Sequence, residues 1–351
     1  MKGNEVDYEE FNKMIDYYLD NGFNYFDTAH GYISGKSEIA IRECLSKRYD
    51  RSKFILTNKL TDSYFKKEED IIPFFNNQLD YCGVTYFDYY LMHAQNRENY
   101  KHFMKCNAYK IAKQLKEEGK IKHLGISFHD TADILENILK DHPEIEVVQI
   151  QFNYVDYEDP SVQSKMCYEV CRKYNKKVLI MEPVKGGGLV KLPEEAKKEF
   201  DKINNKLSYA SYAIRFAASF DGVFMVLSGM SNLEQMKDNI SYMKDFEKIN
   251  ETEMNAINKV SKILRSLGGI PCTACRYCVE GCPKNIKIPD LFACYNAKKQ
   301  FNDWNSSMYY GISTRDSGKA SDCIKCGKCE KICPQHINIR ERLEEISKIF
   351  E

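Results

Sequence analysis

Seven short apolar runs punctuate the first two thirds of the chain, with stretches of helical polar/apolar period between them. The runs are YFDTA from Tyr25, FILTNKL from Phe54, FDYYLMH from Phe87, HLGISF from His123, VVQIQFN from Val147, VLIMEP from Val178 and GVFMVLSGM from Gly222. Alternation of this kind predicts repeated βα units. The runs are apolar at consecutive rather than alternate positions, so both strand faces are covered, as in a parallel sheet flanked by helices. Seven units predict a TIM (β/α)8-type barrel short of one strand, or a doubly wound sheet. No G-x-G-x-x-G follows any run, which disfavours the dinucleotide-binding version of the latter. The pattern changes near Leu267, dividing the chain into an expected barrel at 1–265 and a small C-terminal domain at 266–351.

Composition narrows the class. The 351 residues are 43% hydrophobic and 29% charged, enough for one large core and a small appended module. Lys+Arg and Asp+Glu both number 51, so no basic surface points to nucleic acid as a partner. The opening stretch, MKGNEVDYEEFNKMID, is polar and helical rather than a secretory leader. No apolar run approaches the roughly 20 residues that span a bilayer. These features predict a cytoplasmic protein without a membrane span, whose 14 cysteines are reduced or bound to metal.

Three ionisable residues, Asp27, Lys59 and His93, end consecutive strand-like runs, and Tyr32 follows the first of them. One such residue alone is the ordinary first polar residue of a loop. Three in register point at the C-terminal mouth, where a barrel gathers its catalytic groups. The stretch GFNYFDTAHGY, then ILTNK ending at Lys59 and YYLMH ending at His93, resembles the aldo-keto reductase superfamily over about residues 21–240. GISFHD, VVQIQFNY, EPVKGG and LSGMSNLEQMKDN resemble its later strand-end motifs. The resemblance implies reversible hydride transfer between a nicotinamide, NAD(P)H, and a small carbonyl or alcohol. Tyr32 would be the proton donor, Lys59 the cation beside its phenol, Asp27 the partner of Lys59, and His93 the group that orients the carbonyl.

The same resemblance assigns Ser127 and Gln149 to the nicotinamide carboxamide and Asn239 to the cofactor's far end. Met181 stands where that family usually places an aromatic on the nicotinamide. The motif around Gly229, Met230 and Gln235 lacks the usual Lys and Arg for a 2′-phosphate, which leaves room for a flavin. Relatives in that family also begin with a strand ahead of the first helix, and here that first strand is expected to be missing. Its absence would leave an open edge.

The C-terminal domain carries CTACRYCVEGCP from Cys272 and CIKCGKCEKICP from Cys323. Both runs follow C-x2-C-x2-C-x3-C-P and resemble the bacterial ferredoxin pattern, in which the fourth cysteine of each run binds the other cluster. That assigns Cys272, Cys275, Cys278 and Cys333 to one 4Fe-4S cluster, and Cys282, Cys323, Cys326 and Cys329 to a second. Thiolates are soft ligands suited to iron, whereas zinc sites usually present two separated C-x2-C knuckles. Pro283 and Pro334 turn the chain away after each run. Between the runs, IPDLFACYNAKKQF reads as a helix. Trp304, Tyr309 and Tyr310 are candidates to cover the clusters or the barrel. The six other cysteines, Cys44, Cys82, Cys106, Cys167, Cys171 and Cys294, read as packing residues.

Nicotinamides move electron pairs as hydride and each 4Fe-4S cluster moves single electrons. The expected function is therefore an oxidoreductase coupling carbonyl chemistry to one-electron transfer, with a ferredoxin or other redox protein as partner. The alternative is a flavin- or nucleotide-binding electron-transfer or redox-sensing subunit with little carbonyl turnover.

Overall fold

The computed structural model describes residues 5–204, 206–272, 274–333 and 335–351; Pro334, expected to end the second cysteine run, lies outside them. The chain forms two compact units. The first takes in the chain to Phe152 together with Ser164–Pro183 and Ile214–Lys248. The second comprises Asn153–Gln163, Val184–Ala213 and Ile249–Glu351.

Each of the seven apolar runs forms a strand of the first unit: β1 (Tyr25–Asp27), β2 (Ile55–Leu60), β3 (Phe87–Gln95), β4 (Ile121–Phe128), β5 (Val147–Gln151), β6 (Lys177–Met181) and β7 (Val223–Val226). All neighbours pair in parallel in the order β1-β2-β3-β4-β5-β6-β7, and helices connect them. This is a (β/α)8-type arrangement with seven strands, and no strand precedes β1 among the described residues. Side chains two apart on a strand share a face. Tyr25, Tyr89, Leu91, Val147 and Leu179 accordingly form one apolar cluster, with Phe224 and Met225 of β7 packed against it. The Tyr25 and Phe224 rings, from the two edge strands, meet edge to face at 6.1 Å. Outside the sheet, the helix ahead of β1 (Tyr8–Asp20) and the helix after β7 (Leu233–Met243) share a core of Met14, Met236 and Ile240. Their apolar stripes thus cover one another beside the open edges.

Gly125 of β4 sits between Leu91 and Val147 in register. A methyl group there would come within 2.6 Å of Leu91 Cδ2 and overlap Val147 as well. Gly125→Ala is expected to cost about 1–3 kcal/mol through overpacking, read as a lower midpoint of denaturant unfolding with unchanged slope. An unchanged midpoint would show that the layer has slack.

In the second unit, the stretch IPDLFACYNAKKQF forms a helix over its whole length, Ile288–Phe301, with Pro289 in the first turn where its missing N–H costs nothing. Its apolar residues Ile288, Leu291 and Phe292 join Ile339, Leu343 and Ile346 of the helix Ile339–Phe350 in one core. Tyr310 stacks on Phe350 at 4.8 Å, while Trp304 is 69% exposed. The six scattered cysteines are all buried, as packing residues should be.

Candidate active site and cysteine cavities

The residues singled out at the strand ends continue the inner face of the sheet. Asp27 lies two beyond Tyr25, Lys59 two beyond Thr57, His93 two beyond Leu91, Ser127 two beyond Gly125 and Gln149 two beyond Val147. Period-two geometry therefore places all five one step above the apolar layer, at the C-terminal end of the strands. Lys59 is fully buried. Its Nζ donates to Asp27 Oδ1 at 2.5 Å and to the Thr28 carbonyl at 3.0 Å. The Tyr32 ring centroid is 5.0 Å from the same Nζ. Tyr32 is held on a turn after β1 by N–H bonds from Tyr32 to the Ala29 carbonyl and from Gly35 to the Tyr32 carbonyl. Gly35 makes that turn with φ of 86°, a conformation that favours glycine.

Electrostatics in the group follow from burial and from the Lys59 charge. Burial pushes the Lys59 pKa down, but Asp27, followed by Tyr32, outweighs it and raises it. Burial lifts the Tyr32 phenol above its ordinary value while Lys59 pulls it back, so the hydroxyl is protonated at neutral pH, as a proton donor requires. His93 is driven well below its ordinary value, first by burial and then by Lys59 and His129. It is therefore neutral at physiological pH. Its Nδ1 lies 2.7 Å from Thr61 Oγ1, and its ring packs edge-on to Tyr32 at 6.0 Å. The strand register shifts between Met92 and Gln95, with Ala94 at φ of 51° beside His93.

Ser127 and Gln149 are register partners on β4 and β5. The Gln149 side-chain oxygen is buried with no hydrogen-bond partner, and Ser127 Oγ has only a 3.4 Å contact with His129 Nε2. An amide group offers the donor and acceptor that this pair lacks, so these residues fit a nicotinamide carboxamide. Asn239 is different. Its Nδ2 donates to Ser228 Oγ at 2.8 Å and its Oδ1 accepts from Tyr242 at 2.5 Å, so both ends of its amide are engaged within the chain. Met181, at the end of β6, is the register partner of Gln151.

Thr61 and His129 were not singled out from the sequence, although each lies two residues beyond a residue that was. Behind Lys59 lies a further buried network that no local pattern announces. Glu38 accepts from Asn58 at 2.8 Å and from Gln78 at 3.1 Å, and Gln78 also donates to the Lys59 carbonyl at 3.1 Å.

In the second unit the eight run cysteines divide into two cavities. One is walled by Cys272, Cys275, Cys278 and Cys333; the other by Cys282, Cys323, Cys326 and Cys329. Each thus draws three cysteines from one run and the last from the other. The two runs share left-handed residues at corresponding positions. Ala274 and Arg276 in the first run, and Lys325 and Gly327 in the second, take left-handed conformations at matching positions, with φ of 53°, 63°, 57° and 74°. Asn285 and His336, three residues past the last cysteine of each run, both have φ of 51°. Ile288 is common to both walls. Backbone N–H groups of Ala274 and Ile286 donate to the Cys272 and Cys282 sulfurs at 3.4 and 3.5 Å. Among the described residues, no three His, Cys, Asp or Glu side chains converge as a single metal ion requires. Four soft donors standing around one cavity fit an iron–sulfur cage.

The aldo/keto reductase family model matches residues 1–262, and the 4Fe-4S dicluster domain model matches residues 271–337. The chain belongs to the aldo/keto reductase family. It is an oxidoreductase whose reductase domain is followed by a 4Fe-4S domain. The uncharacterized oxidoreductase YqkF of Bacillus subtilis (strain 168) is 23% identical over 277 residues, covering 71% of this chain and 87% of its own. Norsolorinic acid reductase B of Dothistroma septosporum is 34% identical over 70 residues, 20% of this chain and 17% of its own. Among solved structures, the holo form of an aldo-keto reductase from Bacillus halodurans superposes with a TM-score of 0.60 at 21% identity, over 74% of this chain and 89% of that one. An aldo-keto reductase from Klebsiella pneumoniae in complex with NADPH gives 0.60 at 16% identity, over 74% and 88%. These two likenesses establish the barrel fold of this reductase domain. No helix among the described residues is long and apolar enough to cross a membrane.

Proposed function

We propose that this aldo/keto reductase interconverts a small carbonyl and its alcohol with NAD(P)H, and that its C-terminal domain holds two 4Fe-4S clusters linking this chemistry to a one-electron redox protein. The reading takes 1–265 as the reductase domain and 266–351 as the cluster domain, in line with the two family matches. A cytoplasmic, reducing setting accords with 14 cysteines that are all free.

The observation that carries the proposal is the buried Lys59, bonded to Asp27 at 2.5 Å and set 5.0 Å from the Tyr32 ring. Bound to the chain, the nicotinamide supplies hydride and the clusters supply single-electron transfer. The residues supply the rest. Tyr32 gives its hydroxyl proton to the carbonyl oxygen as hydride reaches the carbon, and Lys59 stabilises the phenolate left behind. Asp27 and the Thr28 carbonyl hold Lys59 in place. In the neutral tautomer protonated at Nε2, His93 accepts from Thr61 Oγ1 at Nδ1 and turns its Nε2–H to the carbonyl oxygen. Ser127 and Gln149 hold the carboxamide. The Klebsiella relative, whose structure contains NADPH, supports the choice of cofactor.

Two observations favour the alternative of a flavin- or nucleotide-binding electron-transfer or redox-sensing subunit: Met181 offers no aromatic face, and the Asn239 amide is already engaged. An anaerobic assay decides. Oxidation of NADPH or NADH on adding aldehydes or ketones, with one alcohol formed per nucleotide, is the expected result. No turnover with either nucleotide, together with flavin in the purified protein, would overturn it.

A further inference from the structure

The two cysteine runs share left-handed residues at corresponding positions, but their cavities differ in charge. The cavity of Cys282, Cys323, Cys326 and Cys329 has Lys284, Lys328 and Arg340 in its wall and no acidic residue. Arg340 is committed to Glu330 at 2.8 Å, whereas Lys284 and Lys328 have no ion-pair partner among the described residues. The other cavity has one cation in its wall, Arg276, which Asp290 holds at 3.0 Å. The sequence widens the contrast. Residues 281–287, 319–332 and 340 carry seven Lys and Arg against two Asp and Glu, while 268–280, 288–290 and 333–339, around the other cavity, carry one against two. At the basic cavity, Ile324 is 58% exposed and Cys326 is exposed too. An apolar contact flanked by two lysines without ion-pair partners, beside a surface-accessible redox centre, has the anatomy of a transient protein interface.

We propose that this lysine-flanked surface around Ile324 docks an acidic one-electron carrier protein, a ferredoxin by its chemistry, which exchanges electrons with the cluster held by Cys282, Cys323, Cys326 and Cys329. The inference rests on the two-cluster reading above. Each exchange oxidises one protein's iron by one electron and reduces the other's by one, with no bond made or broken. Unpaired lysines speed the encounter with an acidic partner, and salt screens that effect. Lysines in a cluster wall can also act on the cluster itself, and the two roles are separable by experiment.

The test uses the full-length protein and two reductants under anaerobic stopped flow: a reduced, acidic plant-type 2Fe-2S ferredoxin, and an uncharged photoreduced deazaflavin. The variants are the double substitution Lys284→Glu, Lys328→Glu and, outside the cavity wall, Lys331→Glu. With ferredoxin, the rate is expected to fall at least roughly tenfold between about 50 and about 500 mM salt, and as much in the double variant at low salt. Lys331→Glu should lower it about threefold, and the deazaflavin rate should change less than about twofold throughout. A ferredoxin rate indifferent to salt and to all three substitutions overturns the proposal. So does an equal fall with both reductants, which assigns the lysines to the cluster. Iron analysis of the same samples separates the failures. About eight iron atoms per chain with an indifferent rate defeats the docking surface alone, while a protein without the Cys282 cluster defeats the two-cluster reading and the docking surface together.

Discussion

Tyr32→Phe is expected to lower kcat for carbonyl reduction by roughly 10²- to 10⁴-fold, the range typical for losing a positioned general acid. The substitution removes one hydroxyl from a residue that is 39% exposed, and leaves the ring to pack against His93. Lys59 keeps both of its other partners, Asp27 and the Thr28 carbonyl. Folding and iron content should therefore match the parent protein, and the loss should appear in kcat more than in KM, because the proton is needed only as the reaction proceeds. Steady-state kinetics with NADPH and an aldehyde, alongside circular dichroism and iron analysis, measure all three. Parental turnover would remove Tyr32 from the chemistry.

The second large effect is a crossed loss of iron. Cys333 belongs to the second run in sequence but lines the cavity of Cys272, Cys275 and Cys278. Cys333→Ser should therefore damage the cluster of the first run, taking iron from about eight towards about four atoms per chain. Cys275→Ser and Cys326→Ser give the reference spectra for damage to one cavity or the other. The EPR spectrum of reduced Cys333→Ser should match that of Cys275→Ser. A match to Cys326→Ser would show that each run binds its own cluster.

The sheet was legible because a parallel strand covered on both faces is written as a continuous apolar run, which little else in a soluble chain resembles. All seven runs became strands, although β1 and β7 are shorter than YFDTA and GVFMVLSGM indicate. Paired strand-end residues were legible for the same reason: Asp27, Lys59 and His93 are the first ionisable groups where apolar runs stop. Thr61 and His129 continue the same faces, and extending the period-two count by one step would have found them. The Glu38, Asn58 and Gln78 network joins residues 20 to 40 positions apart, and no local period marks such contacts.

Unit boundaries were illegible on similar grounds. Ser261 donates to the Tyr154 carbonyl at 3.2 Å and Arg265 to the Val155 carbonyl at 2.8 Å, contacts spanning 107 and 110 residues. They tie the chain after β5 into the same unit as the cysteine runs. The matching left-handed residues of those runs could not be foreseen either, because only Gly327 among the four is a glycine.

We propose that the reductase site and the clusters form one electron path. Two electrons stored singly and one proton convert one oxidised nicotinamide to its reduced form. The direct measurement is to reduce the protein with dithionite under anaerobic conditions, remove the excess reductant, and add NADP+ or NAD+ while following the visible absorbance of the clusters and the nicotinamide band. Prompt cluster reoxidation is expected, with about one reduced nucleotide formed per two cluster electrons, in a reaction slowed by substitutions at Ser127 and Gln149. Clusters that stay reduced in the presence of both nucleotides, while the same protein still reduces aldehydes with NADPH, would contradict it.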